Sequence, residues 1–132
     1  MVKVTGKKVK IIDETAAGVF TIAVTPFLPD EAVDWNNVDR MVDFYISKGA
    51  TVLTILGMMG EAGKLTAEES LTIVERVVAR SLVSTIVGVS AAGFAAMKTL
   101  ADAAMDAAAL GVMVAHHRIF AQMTRSLHII TM

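Results

Sequence analysis

The sequence predicts an α/β fold built on a parallel sheet, and three observations carry that prediction. Short apolar runs recur at Gly18–Thr25, Thr51–Leu56, Thr85–Val89 and Val112–Ala115. They begin at positions 18, 51, 85 and 112, which lie 33, 34 and 27 residues apart, the spacing of strand-helix units. Hydrophobic residues make up 55% of the 132-residue chain and charged residues 19%, a balance that suits strands buried on both faces. An open doubly wound sheet and a (β/α)8 barrel both meet this pattern, and periodicity does not separate them. A barrel needs about eight units and roughly 250 residues. The chain holds about three and a half such units.

The first strand, Gly18–Thr25, is dense in Val, Ile and Phe. It should stop at Thr25-Pro26, because proline removes a backbone donor and restrains the residue before it. Asp34 or Asn36 can cap the first helix. Its apolar face is Val38, Met41, Val42, Tyr45 and Ile46, close to the i, i+3, i+4, i+7 spacing of an amphipathic helix. Gly49 closes it as a C′ residue. The second strand, Thr51–Leu56, runs directly into Gly57-Met58-Met59-Gly60-Glu61. Thr66 with Glu69 forms a capping box for the second helix, which turns Leu71, Val74, Val77 and Val78 inward. The third strand, Thr85–Val89, ends at Ser90-Ala91-Ala92-Gly93. The third helix, about Phe94–Leu110, is alanine-rich and is expected to stop at Gly111. Alanine is the best helix former, and its small side chain lets a helix lie close on a sheet. Val112–Ala115 is the fourth strand. The expected organisation is an N-terminal extension over 1–17, a partial α/β domain over 18–115, and a tail over 116–132 that matches nothing before it.

The bulk properties exclude several classes of function. A net charge of −1 gives no electrostatic case for nucleic acid or an anionic membrane surface. The absence of cysteine excludes a disulfide framework and thiol catalysis, and suits a cytoplasmic setting. Mean hydropathy is +0.61, yet no uninterrupted apolar run reaches the roughly 18 residues of a membrane span. Met1–Lys10 is basic but leads into no signal-peptide core or cleavage pattern.

Two motifs carry a family resemblance. Gly18-Val19-Phe20-Thr21-Ile22-Ala23-Val24-Thr25-Pro26-Phe27 resembles the first strand of the dihydrodipicolinate synthase/N-acetylneuraminate lyase family. Thirty residues on, Gly57-Met58-Met59-Gly60-Glu61 stands where that family has a Gly-x-x-Gly-Glu loop after its second strand. The intervening helix and the Leu65-Thr66-x-x-Glu69 start of the next are also similar, and the likeness covers about Gly18–Ala115. The resemblance implies the N-terminal portion of a (β/α)8 barrel of class I aldolases. It implies a 2-oxo acid substrate, often pyruvate, held as a Schiff base on a lysine at the end of the sixth strand, and no cofactor. A tyrosine near the fifth strand assists proton transfer in that family. The loop holds the substrate carboxylate through backbone N–H groups and, usually, threonine hydroxyls. The substrate-binding residues it implies here are Thr25, Gly57, Met58, Met59, Gly60 and Glu61. Glycines let a backbone approach an anion, and donors arranged in a turn attract it.

The chain departs from that pattern at two places. Met58-Met59 replaces the usual threonine pair, which keeps the backbone donors and loses the hydroxyls. Strands five to eight are absent, with the lysine and tyrosine they carry. None of Lys3, Lys7, Lys8, Lys10, Lys48, Lys64 and Lys98 stands in the family's lysine position, so no catalytic residue is carried over. The tail suggests a cause. Loss of one base from a cytosine run turns codons for Ala-Pro-Pro-Ser into Ala-His-His-Arg, the sequence at Ala115-His116-His117-Arg118. The chain is therefore expected to be a frameshifted, prematurely ended aldolase, which the sequence of the encoding DNA tests.

Plainer readings stand beside each of these. Glu61 after a glycine turn is more often structural than catalytic. Met58 and Met59 serve equally as packing filler, and Thr25 before Pro26 is ordinary turn chemistry. His116, His117 and His128 all lie in the tail, where an accidental reading frame explains them more simply than a metal site. Gly88-x-Ser90-x-x-Gly93 is an incomplete phosphate-turn pattern without the acidic residue a ribose needs. Three functions follow: an aldolase by descent, inactive as this chain; a non-catalytic module acting through its unpaired edge strands; and, weakest, a nucleotide-binding domain. The expected partners are a small 2-oxo acid and further copies of the chain, as a homo-oligomer or self-associating species, with no nucleic acid and no membrane.

Overall fold

A computed structural model of the chain describes residues 12–91 and 93–114. Four parallel strands, β1 (Phe20–Ile22), β2 (Val52–Ile55), β3 (Ser84–Gly88) and β4 (Gly111–Met113), lie side by side in sequence order. Three helices connect them: α1 (Trp35–Ser47), α2 (Ala67–Arg80) and α3 (Phe94–Asp106). The strands are in register through Thr21, Leu53 and Thr85 in one row, and through Ile22, Thr54, Ile86 and Gly111 in the next.

Side chains alternate across a strand, so the register assigns each residue to a face. Ala23, Leu53, Ile55, Val87 and Val89 share one face and pack with Val38, Val42, Ile73, Val74, Val77 and Ala104 of the three helices. Phe20, Ile22, Val52, Thr54, Ile86 and Met113 occupy the other. This settles the architecture. A doubly wound sheet reverses its strand order and places helices on both faces. Here the order never reverses and the helices cover one face, as in the wall of a (β/α)8 barrel. The open face is the one a closed barrel turns inward.

The strands are shorter than the apolar runs that encode them, for local reasons. Ala23 N–H still donates to the Thr54 carbonyl at 2.8 Å. Beyond it β2 turns away at Leu56, whose left-handed backbone (φ 55°) ends the ladder. At the other end the Thr51 hydroxyl accepts from Val19 N–H at 2.8 Å and donates back to the Val19 carbonyl at 3.2 Å. A Cβ on Gly18 (φ 133°) would collide with that hydroxyl. After Pro26, Phe27 and Val33 form an antiparallel bridge, and Asp34 N–H donates to the Pro26 carbonyl at 2.9 Å. The chain turns there into α1.

Asp34 caps α1, accepting from Asn37 N–H at 3.0 Å, and that bond holds its carboxyl below the usual value. Gly49 (φ 95°) stands at C′, with Gly49 N–H bonded to the Ile46 carbonyl and Ala50 N–H to Tyr45. The Thr66–Glu69 capping box of α2 forms in both directions, at 3.1 and 2.9 Å. The buried face of α2 is Ser70, Ile73, Val74 and Val77. Leu71, expected inside, is only half-buried at its margin. Asp39 and Asp43 of α1 meet Arg76 and Arg80 of α2 in paired hydrogen bonds.

The third helix corrects the sequence reading. It ends at Asp106, not Leu110, and Gly111 begins β4. Ala108 takes the left-handed C′ conformation (φ 68°), donating to the Met105 carbonyl while Ala109 donates to Ala104. That is the same termination as α1, with alanine where glycine is favoured. The 1–17 extension is described from Ile12. Ile12 N–H donates to the Leu110 carbonyl at 3.3 Å, which carries the chain past the start of β4 before it enters β1. Ala115 and the tail lie outside the described residues.

Candidate functional site

The C-terminal ends of all four strands point the same way, and the Gly57–Glu61 loop stands at that end. It leaves β2 at Leu56 and folds as two overlapping turns. Gly60 N–H donates to the Gly57 carbonyl at 3.1 Å, and Glu61 N–H to the Met58 carbonyl at 3.0 Å. Glu61 (φ 52°) then opens a short 3-10 turn, Ala62–Lys64, which leads into the α2 cap. The two glycines face inward and are buried, whereas Met58 is 87% exposed and Met59 59%.

A glycine of β3 seats the loop. A Cβ on Gly88 would overlap the Leu56 carbonyl oxygen, and would lie 3.1 Å from Gly57 N. The end of β2 therefore rests on bare backbone of β3. Sequence reasoning considered Gly88 only as part of a phosphate turn. The missed signal was a glycine inside an apolar strand, which marks close backbone approach. On the other side, Gly60 packs toward the carbonyl of Ala23, the residue after β1. A Cβ on Gly57 would lie 3.6 Å from Cε of Met113 and 3.9 Å from Cγ2 of Ile22, so the loop borders the open face.

The turns consume the N–H groups of Gly60 and Glu61 and leave those of Met58 and Met59. Among the described residues no acceptor meets either one. Two successive N–H groups in a turn form a concavity that suits an anion. The expected binding residues Gly57, Met58, Met59, Gly60 and Glu61 thus form one structural unit. Thr25 leaves β1 at the same end, half-buried, and no hydrogen bond joins it to the loop.

The Glu61 carboxylate is ion-paired with Lys64. That contact raises the Lys64 ammonium above its ordinary value, first through the hydrogen bond and then through the opposite charge. Lys98, on α3, is raised in the same way by Asp102. An amine must lose its proton to act as a nucleophile, so both environments work against that role. Among the described residues no cluster of three His, Cys, Asp or Glu could hold a metal, and no helix is long and apolar enough to cross a membrane. The three tail histidines lie outside the described residues.

With this geometry in place, the comparisons with known proteins are decisive at the level of family. Residues 15–117 match the Dihydrodipicolinate synthetase family. The chain belongs to that family. A 4-hydroxy-tetrahydrodipicolinate synthase of Sorangium cellulosum is 40% identical over 103 residues, covering 74% of this chain and 34% of the relative. One from Nitrosococcus oceani is 33% identical, covering 70% and 32%. The crystal structure of dihydrodipicolinate synthase from Rhodopseudomonas palustris superposes with a TM-score of 0.78 at 42% identity, covering 88% of this chain and 42% of that one. The chloride-inhibited dihydrodipicolinate synthase of Acinetobacter baumannii, solved with pyruvate, gives 0.68 at 28% identity, covering 74% and 34%. The matches therefore span between about a fifth and a third of the length of the curated relatives, and within that span the chain has the fold of the dihydrodipicolinate synthetase barrel.

Proposed function

We propose that this chain carries the carboxylate-holding part of a lyase or synthase site for a 2-oxo acid such as pyruvate, and no nucleophile of its own. The observation that carries this reading is the pair of N–H groups at Met58 and Met59, which no acceptor meets among the described residues, presented on a turn at the C-terminal end of β2. Barrel enzymes place their chemistry at that end. A carboxylate there would accept both donors without displacing an acceptor from the described residues. In the full reaction a lysine amine condenses with the 2-oxo carbonyl and releases water. The resulting imine draws electrons from the adjacent carbon and eases carbon–carbon bond formation or cleavage. Lys64 stands closest in sequence to the loop, and its pairing with Glu61 raises its ammonium above the ordinary value, which works against a nucleophilic role. The lack of cysteine fits a cytoplasmic setting.

Two measurements test this reading together. Saturation-transfer NMR should detect weak binding of the pyruvate methyl group, and absence of transfer would contradict the carboxylate site. Borohydride treatment with pyruvate should leave the protein mass unchanged. A mass gain located on any lysine would overturn the claim that the chain lacks a nucleophile.

A further inference from the structure

The Gly57–Glu61 loop meets the open face at one corner, and the lining of that corner bears on which acid the loop can hold. Gly57 immediately precedes the two N–H groups, of Met58 and Met59, that no acceptor meets among the described residues. Beside Gly57 stand two methyl groups: a Cβ there would lie 3.6 Å from Cε of Met113 and 3.9 Å from Cγ2 of Ile22. Met113 is 38% exposed and Ile22 47%, so this apolar surface is open to a ligand. The row of the sheet that Ile22 begins continues through Thr54, Ile86 and Gly111. It holds no charged side chain, and Thr54, its one hydroxyl among Ile22, Ile86 and Gly111, is only 5% exposed. Met58 and Met59 add thioethers, which donate no hydrogen bond, accept weakly and adapt their shape to apolar neighbours. The loop's one charged residue, Glu61, is already ion-paired with Lys64.

We infer that the site prefers a 2-oxo acid with an unbranched alkyl chain, such as 2-oxobutanoate or 2-oxopentanoate, over pyruvate, and that Met113 and Ile22 set the preference. The inference rests on the carboxylate reading and names the substrate class within it. With the carboxylate on the Met58 and Met59 N–H groups, the chain beyond the carbonyl runs over the Met113 and Ile22 methyls. Each methylene laid there leaves water. A hydroxyl, an amine or a second carboxylate on the same chain would give up hydration and gain no partner. Pyruvate ends in a single methyl group and gains least from this surface. Full burial of a methylene corresponds to about fourfold in affinity, so an open surface should give about two- to threefold per methylene.

A 15N NMR titration of the chain with pyruvate, 2-oxobutanoate, 2-oxopentanoate and 2-oxoglutarate tests the preference, with sodium chloride at equal ionic strength as the control. The three monoacids should all shift the Met58 and Met59 amides, with Kd falling about two- to threefold for each added methylene. 2-Oxoglutarate, of similar length but ending in a carboxylate, should bind more weakly than 2-oxopentanoate. The terminal methyl of 2-oxopentanoate should show nuclear Overhauser contacts to the Met113 and Ile22 methyls. Equal affinity for pyruvate and 2-oxopentanoate, or tightest binding of 2-oxoglutarate, would overturn the inference and leave the carboxylate reading standing. Loop amides unmoved by every acid would remove the carboxylate reading and the inference with it. Met113→Ala should flatten the chain-length series while the Kd for pyruvate changes by less than about twofold. Ile22→Thr, which keeps the branched shape suited to a strand, should act in the same direction. A series unchanged in both variants would refute the role given to these two side chains.

Discussion

The two faces of the sheet carry similar aliphatic residues and differ in how far their cover extends. On the helix side Leu53 and Val87 are wholly buried; on the other face Val52 and Thr54 of the central β2 are buried too, whereas Ile22 on the edge strand β1 is nearly half exposed. The difference lies in where the cover comes from. Helices α1, α2 and α3 are the chain's own crossover connections, so each strand-helix unit brings the cover for its outer face. Cover for the inner face comes only from strands across the barrel. A run of consecutive units can therefore complete the outer layer while the inner face waits for other strands.

Substitutions on the two faces should separate this sharply. Leu53→Ala should cost about 3 kcal/mol by urea denaturation, within the range for a fully buried leucine. Ile22→Lys on the opposite face should change the stability of the monomer by less than about 0.5 kcal/mol. Equal losses would mean that the inner face is already packed. Gly88→Ala tests the backbone contact beneath the loop and should cost about 2 kcal/mol, the scale of overpacking. It should also shift the amide resonances of Leu56 and Gly57. A silent Gly88→Ala would remove the account of how the loop is seated.

A smaller effect has the opposite sign. Ala108→Gly relieves a left-handed alanine, worth about 1–2 kcal/mol, against the added freedom of glycine in the unfolded chain, about 0.4–1 kcal/mol. The variant should be stabilised by about 0.5–1 kcal/mol, read from the midpoint of thermal unfolding. The smallest effect is electrostatic. Hydrogen bonding from Arg76 holds Asp39 below its ordinary value of 3.8, and Arg80 does the same for Asp43. A depressed carboxylate contributes stability above the unfolded value and loses it as pH falls through the folded one. Arg76→Gln should therefore lower stability slightly at neutral pH, only slightly because exposed pairs contribute little, and leave it unchanged at pH values below the folded value, so that the fall in stability between neutral and acid pH becomes shallower.

The same division governs what the sequence made legible. Local chemistry was readable: the Thr66–Glu69 box, the Asp34 cap and the Gly49 termination all follow from residues within a few positions of one another. The α3 terminus was misread because Gly111 looked like the familiar stop, whereas the helix ends at Asp106 with Ala108 in the C′ position, and Gly111 begins β4. Ile73 was missed and Leu71 overrated on α2, because the buried stripe follows the sheet beneath it. At the site, the Gly57–Glu61 loop was legible as a unit. The seat at Gly88 was not, because it depends on the Leu56 carbonyl, some thirty residues away in sequence and adjacent only in the sheet. The Glu61–Lys64 pair needed the 3-10 turn to bring its ends together.

The loop is the part of the account that matters most for function, and it can be examined residue by residue. A 15N NMR titration with sodium pyruvate, using sodium chloride at equal ionic strength as the control, reads each amide separately. The account predicts saturable shifts at Met58 and Met59, smaller ones at Gly57, Gly60 and Glu61, and none along the helices. No pyruvate-specific shift in the loop, or shifts confined to the helix layer, would contradict it.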